Sequence, residues 1–312
     1  MSTIAGALAP IFMLIMLGWG FRARGFLNDA FWVPAERLTY YVLFPALLIT
    51  NLAEAKLDGL PVAAILGAQG SATLLLAALS ALIATHAHRR PFRLDGAGAS
   101  SLFQGIVRPN TYVGFAAAAG LFGAEGVTLT ALCVALVVPL VNLLSVIGLI
   151  HFIGPKQGAR RGWRGMVMPI VTNPIIISCM IGIALNGSGV GLPPIIGPFC
   201  KILGQGSLAL GLLAVGAGLE VRAIRETGPT VTLAILGRLV LSPLVVAGLA
   251  WMLGVRGLPF AVCVVYGGLP VAPNAYVLAR QLGGDARLMA GIITLSTVAA
   301  AFSLAILAVL VS

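Results

Sequence analysis

The chain has 312 residues, 59% of them hydrophobic and only 9% charged, and its mean hydropathy is +1.05. Soluble domains carry about a quarter charged residues, so this composition excludes a water-soluble globular protein and leaves an integral membrane protein. A net charge of +10 would suit a nucleic-acid binder, but the basic residues sit in short connections between apolar stretches, where they report topology instead.

A spanning helix needs roughly 20 apolar residues. Stretches of about that length are predicted near 3–22, 35–55, 60–85, 97–120, 124–152, 165–186, 195–219, 229–254, 257–280 and 286–311. The first has no basic residue before it and no small-residue cleavage site, so it reads as a span and not as a removable signal. Asn51 lies in the second, Gln69 in the third, and Asn142 in the fifth with Pro139. The fourth is the least apolar and contains Gln104 and Arg108-Pro109-Asn110-Thr111-Tyr112-Val113. Asn173-Pro174 lies in the sixth, Lys201 near the outer end of the seventh, where it can snorkel, and Arg238 nine residues into the eighth. The ninth carries Pro270-Val271-Ala272-Pro273-Asn274-Ala275-Tyr276-Val277.

Alternate connections hold Arg22, Arg24 and Arg37; Arg89, Arg90 and Arg93; Lys156, Arg160, Arg161 and Arg164; Arg222 and Arg225; and Arg280 and Arg287. The opposite connections hold only Lys56 and Arg256. The first set is therefore cytoplasmic and both termini are outside. Cys133, Cys179, Cys200 and Cys263 lie within apolar stretches without metal-ligand spacing and read as packing residues. His86, His88 and His151 fall at cytoplasmic ends, which argues against a buried histidine relay.

The two halves repeat one another. Pro109-Asn110-x-Tyr112-Val113 recurs as Pro273-Asn274-x-Tyr276-Val277, and Pro10-Ile11 with Met16 and Gly18 recurs as Pro174-Ile175 with Met180 and Gly182. Leu47 and Glu54 recur as Leu213 and Glu220, and Ala64-Ile65-Leu66-Gly67 as Ala234-Ile235-Leu236-Gly237. Five spans per half reverse the orientation of the second, so the expected fold is all-α, with ten transmembrane helices in two inverted five-helix repeats. The first repeat covers 1–152, a cytoplasmic linker 153–164, and the second repeat 165–312. Inversion puts the fourth and ninth spans in equivalent places, where their breaks can meet near the bilayer centre. About eleven residues at 1.5 Å each place Arg108 and Pro109 roughly 16 Å deep, near the midplane.

Proline breaks a helix by removing an N–H and clashing with the preceding turn, so Pro109, Pro270 and Pro273 are the expected break positions. Each broken helix frees N–H groups that favour an anion and C=O groups that favour a cation. Asn110 and Asn274 carry donors and an acceptor beside those ends; they can contact a carboxylate or simply cap backbone groups. Thr111 and Ala275 adjoin them. Tyr112 and Tyr276 follow, either as packing anchors or as substrate contacts. A lone charge at a span centre costs about 2.5–3.5 kcal/mol, so Arg108 and Arg238 need partners. With no Asp or Glu placeable at depth, a carbonyl-rich helix end or an anionic substrate remains; for Arg238, charge balance at a helix end is the expectation. Asn51, Gln69 and Asn142 complete the candidate contacts, with helix-to-helix bonding as their alternative role.

These motifs, together with Leu192-Pro193 and the run continuing to Leu278-Ala279, resemble the auxin efflux carrier family, which includes bacterial malonate-type permeases and plant PIN-type auxin carriers. The resemblance spans essentially the whole chain. It implies that spans 1, 2, 6 and 7 form a scaffold, that spans 3 to 5 and 8 to 10 form a moving transport domain, and that the protein is a homodimer. It also implies that Asn110 and Asn274 face a substrate carboxylate. Plant members have a large loop between the halves where this chain has only 153–164, so a prokaryotic inner membrane is the expected location.

The expected function is secondary transport of small organic anions, such as malonate, malate or auxin-like acids, by alternating access about the crossing. No nucleotide-binding G-x-x-x-x-G-K-[ST] string is present, so ATP drive would need another subunit and none is evident. With no His, Asp or Glu placeable at depth there is no nucleophile-base or metal cluster, so neither a cofactor nor enzymatic activity is expected. A sodium or proton coupling ion is not evident. Two rivals remain: a sodium-coupled organic anion symporter of the bile-acid-symporter-like type, in which carbonyls ligate the cation, and a membrane anion sensor that does not translocate.

Overall fold

In a computed structural model the residues described are 2–55, 59–89, 91–154, 168, 172–226 and 228–311. Lys56, Arg90, Lys156, Arg160, Arg161 and Arg164 of the charge pattern, most of the 153–164 linker, and most of 165–171 at the start of the sixth apolar stretch lie outside them. The helices are α1 (Ser2–Ala23), α2 (Asp29–Leu38), α3 (Phe44–Ala53), α4 (Val62–His86), α5 (Gly96–Val107), α6 (Thr111–Ile153), α7 (Pro174–Gly187), α8 (Ile196–Ala217), α9 (Pro229–Leu236), α10 (Ser242–Met252), α11 (Gly257–Gly267), α12 (Asn274–Leu282) and α13 (Ala286–Val311). Among the described residues six helical segments are long and apolar enough to cross a bilayer: Ile4–Ala23, Val62–His86, Thr111–Ile153, Ile196–Ala217, Pro229–Met252 and Ala286–Val311. Large apolar side chains such as Met13, Leu74, Ile195, Phe302 and Leu310 are exposed on their outer faces. Together these features mark an integral membrane protein.

The helix boundaries follow local chemistry. Asn28, Asp95 and Asn173 cap α2, α5 and α7 by accepting from Phe31 N, Gly98 N and Ile175 N, and Pro174 occupies the first turn, where its missing N–H costs nothing. Gly123, at φ 63° and ψ −152°, kinks the 43-residue α6. That kink falls between the stretches expected at 97–120 and 124–152, and only a residue without Cβ holds such a conformation cheaply. Thr39–Leu43 and Gly237–Leu241 are single π turns joining α2 to α3 and α9 to α10. Pro45 and Pro243 stand just beyond them, and the widened turn accommodates the missing N–H in each case.

Two packing groups emerge. α1 lies along α8, and α3 lies against α7 and α8. In the other, α4, α5, α6 and α9 to α13 pack on one another. Small residues bring the first group together: a Cβ on Gly18 would collide with the Leu213 carbonyl, one on Gly216 with the Ile15 carbonyl, and one on Gly182 with Leu52. In a lipid solvent such close approach supplies the dispersion contacts that hold helices together. At the rim of this group Lys201 forms an ion pair with Glu54 at 2.8 Å, a definite partner in place of free snorkelling.

Gly216→Leu should therefore lower the melting temperature in detergent by an amount equivalent to about 1–3 kcal/mol of overpacking. Gly6→Ala, where a Cβ meets nothing within 4 Å, should not; equal losses would show that the α1–α8 approach is not tight.

Candidate substrate site at the crossed helix breaks

α5 stops at Val107 because Pro109 follows: the residue before a proline is pushed out of the helical region, and Arg108 is extended at φ −92° and ψ 104°. Asn110 then starts α6 as its N-cap, its side-chain oxygen accepting from Tyr112 N at 3.1 Å and Val113 N at 3.3 Å. Asn110 is fully buried and its amide nitrogen has no partner.

The second break runs from Gly268 to Pro273, between α11 and α12. It lies alongside the first as a two-stranded antiparallel bridge centred on Pro109 and Val271. Asn110 N donates to the Pro270 carbonyl at 2.8 Å, and Ala272 N donates to the Arg108 carbonyl at 3.2 Å. Val271 N donates to Ser296 Oγ on α13 at 3.1 Å. The two extended segments thus satisfy one another. The copies of the repeated string are not used alike, however. Asn110 caps a helix and is buried, whereas Asn274 sits in the first turn of α12, behind Pro273, makes no cap bond and is exposed.

Arg238 is buried, and its guanidinium collects the carbonyls at the ends of both broken helices. Nε donates to Leu269 O at 2.7 Å, Nη1 to Ile106 O at 3.1 Å, and Nη2 to Gly267 O at 2.7 Å and Tyr266 O at 3.4 Å. Ser242 adds a second donor to Gly267 O at 2.8 Å. Arg108 has neither a helix end nor a carboxylate. Nη1 donates to Ser145 Oγ and Nη2 to Asn142 Oδ1, both at 3.0 Å on α6, while Nε is buried without a partner. Neutral dipoles on the adjacent helix therefore hold this charge, a solution that the absence of acidic residues conceals.

Tyr112 packs edge-on against Phe44 at 5.1 Å and lies over Gly211, where a Cβ would strike its ring. It joins α6 to α3 and α8. Thr111 is half-buried beside it, and Ala275 is fully buried. Tyr276 is half-buried with the Arg280 guanidinium 5.9 Å from its ring centre. Asn51 donates to Leu47 O on its own helix, and Gln69 donates from α4 to Cys263 O on α11. Beside Arg238 a small cavity is lined in part by Gln69, Thr73, Pro109, Ser242 and Tyr266. Ser145, Ser242, Ser296 and Tyr266 were not singled out by sequence reasoning: a Ser or Tyr within an apolar stretch gives no signal until the helices are placed.

Cover over the crossing is uneven. On the α6 side, Tyr112 and Phe115 pack on Phe44, and α1 comes so close that a Cβ on Gly120 would collide with the Ala7 carbonyl. On the α12 side, Asn274, Val277, Arg280 and Gln281 are exposed, and the helix rests on α5 and α13.

Comparison with known proteins points to membrane transport. A family model described as "Membrane transport protein" matches residues 165–308. An "Uncharacterized transporter" of Methanothermobacter thermautotrophicus is 27% identical over 297 residues, covering 94% of each chain.

The unequal asparagines give a stability test. Asn110→Ala removes a cap worth about 0.5–2 kcal/mol and should lower the unfolding midpoint in detergent, whereas Asn274→Ala removes no cap and should leave it near wild type. Equal midpoints for the two variants would contradict the asymmetry.

Proposed function

The chain is a member of the auxin efflux carrier family of membrane transport proteins, and from that premise we propose that it carries small organic anions, mono- or dicarboxylates, by alternating access about the crossed breaks. The observation that carries the reading is electrostatic. Two guanidinium groups are buried at the crossing, and every hydrogen-bond partner they have is a carbonyl, a hydroxyl or an amide. The N-termini of α6 and α12 converge on the same place and add partial positive charge. A site of this sign favours an anion, and a carboxylate suits the free amide of Asn110 and the exposed amide of Asn274. Among the described residues no group of three or more His, Cys, Asp or Glu forms a potential metal cage.

The proposed topology is ten spans in two inverted repeats, residues 1–152 and 165–312. The α4 stretch, the broken α5–α6 and α11–α12 pairs, the second part of α6, α9–α10 and α13 move as the transport domain against a scaffold of α1, α2–α3, α7 and α8. The close glycine contacts within α1, α3, α7 and α8 support the scaffold, and Tyr112 and Phe115 form the surface that slides. With the basic connections cytoplasmic and both termini outside, α12 ends on the cytoplasmic side, so the uncovered face of the crossing corresponds to an inward-facing state. Dimerisation through the scaffold in a prokaryotic inner membrane completes the proposal.

Counterflow in proteoliposomes tests it. Wild-type protein should exchange labelled dicarboxylate, and Asn274→Ala should lose exchange by at least about tenfold, the effect of one displaced charge-assisted hydrogen bond of about 1.5–3 kcal/mol, with its melting temperature unchanged. Full counterflow in both Asn110→Ala and Asn274→Ala would remove the crossing as the substrate site.

A further inference from the structure

Four backbone carbonyls, Ile106 O from α5, Tyr266 O and Gly267 O from the end of α11, and Leu269 O from the break just beyond it, converge on one positive group. Each broken helix ends in about half a negative charge, so two ends present roughly one unit of negative charge, matched by the single guanidinium of Arg238. Oxygen clusters of this kind at unwound helix ends are suited to monovalent cations in transporters. We propose that this cluster is a cation site which the chain occupies permanently with its own side chain, so that transport runs without a coupling sodium or other metal cation. The inference rests on the transporter reading above and deepens it by naming a coupling ion that the cycle does not use.

Three features support a site and not merely a buried arginine. All three guanidinium nitrogens donate to carbonyls of the two helix ends, so no nitrogen is left without an oxygen partner. Next to the guanidinium lies the small polar cavity bounded by Gln69, Thr73, Ser242 and Tyr266, and the Tyr266 hydroxyl is buried with no partner. Shortening Arg238 would enlarge that space and leave the carbonyls facing it. Finally, an arginine does not lose its proton in proteins, so the resident charge neither dissociates nor shuttles protons. It travels with its helix, and its return costs no ion.

The test uses purified full-length protein in detergent and in proteoliposomes, as wild type, Arg238→Ala and Arg238→Lys. Each is measured in sodium, potassium or choline chloride, and with millimolar guanidinium chloride added to choline. Wild type should melt at one temperature in all of these and should take up carboxylate equally in sodium and in choline. Arg238→Ala should melt roughly 5–15 °C lower in choline, the effect of uncovering a buried charge cluster, and should regain most of that loss in sodium or guanidinium. Arg238→Lys should remain insensitive. Sodium-dependent uptake or melting by wild type overturns the proposal, as does an Arg238→Ala protein indifferent to every cation. If Arg238→Ala does not fold, wild-type melting and uptake in choline still decide it. If wild type carries no carboxylate, the transport reading fails while the melting series continues to judge the cation site.

Discussion

The rest of the structure depends on one constraint: two helices are interrupted inside an apolar protein, and every backbone group so released has to be satisfied without bulk water. The solution is reciprocal. Asn110 N and Ala272 N each find a carbonyl in the other break, Val271 N finds Ser296, Asn110 caps α6, and Arg238 with Ser242 takes the carbonyls left at the helix ends. An unpaired buried peptide group costs about 1–3 kcal/mol, so neither break would survive alone. The crossing is therefore a structural necessity before it is the proposed binding site, and the anion-favouring N-termini are a by-product of how the breaks are stabilised.

Repeated sequence does not mean repeated environment. The second Pro-Asn string sits two residues beyond the point where the chains bridge, since Pro109 faces Val271 and not Pro273. Asn110 consequently becomes a buried cap and Asn274 an exposed first-turn residue. The same offset gives the crossing a covered side, sealed by Tyr112 and Phe115 on Phe44, and an uncovered side along α12. In the proposed alternating-access cycle these two conditions exchange, and the interface that parts is aromatic and small-residue packing. Ion pairs there would tie the domains together more rigidly in a low-dielectric surrounding.

Much of this was legible in sequence where backbone chemistry is local. Pro109, Pro270 and Pro273 mark breaks, Asn173-Pro174 marks a helix start, and Arg238, alone in an apolar stretch, calls for a partner. The gap between the stretches ending at 120 and starting at 124 coincides with the Gly123 kink. What sequence hides is anything decided by neighbours distant along the chain. The two π turns require the packing around Pro45 and Pro243. Among the described residues the six segments long and apolar enough to cross are fewer than the apolar stretches: Thr111–Ile153 joins the second half of the broken fourth stretch to the fifth, the ninth is broken beyond Gly267, and the sixth is described as a helix only over the 14 residues Pro174–Gly187. Arg108 was expected to need a helix end or an anion, but Ser145 and Asn142 lie one helix away and supply neutral dipoles.

The two buried arginines divide the electrostatic work. Every guanidinium nitrogen of Arg238 is bonded to helix-end carbonyls, so it has little left to offer a ligand and functions as a fixed balancing charge. Arg108 is held more loosely: two hydrogen bonds to neutral groups leave Nε without a partner, and the Gln104 side chain one turn earlier has both polar atoms buried and unpaired. Groups left in that condition carry a standing desolvation cost. An anion near Asn110 would lower it, because its field acts on Arg108 across a medium that screens poorly. Under the proposed anion-carrier reading, the energy that binds substrate comes largely from polar groups the empty protein leaves unsatisfied, and selectivity among carboxylates lies in the shape of the walls around Asn110 and Asn274, not in the charge itself.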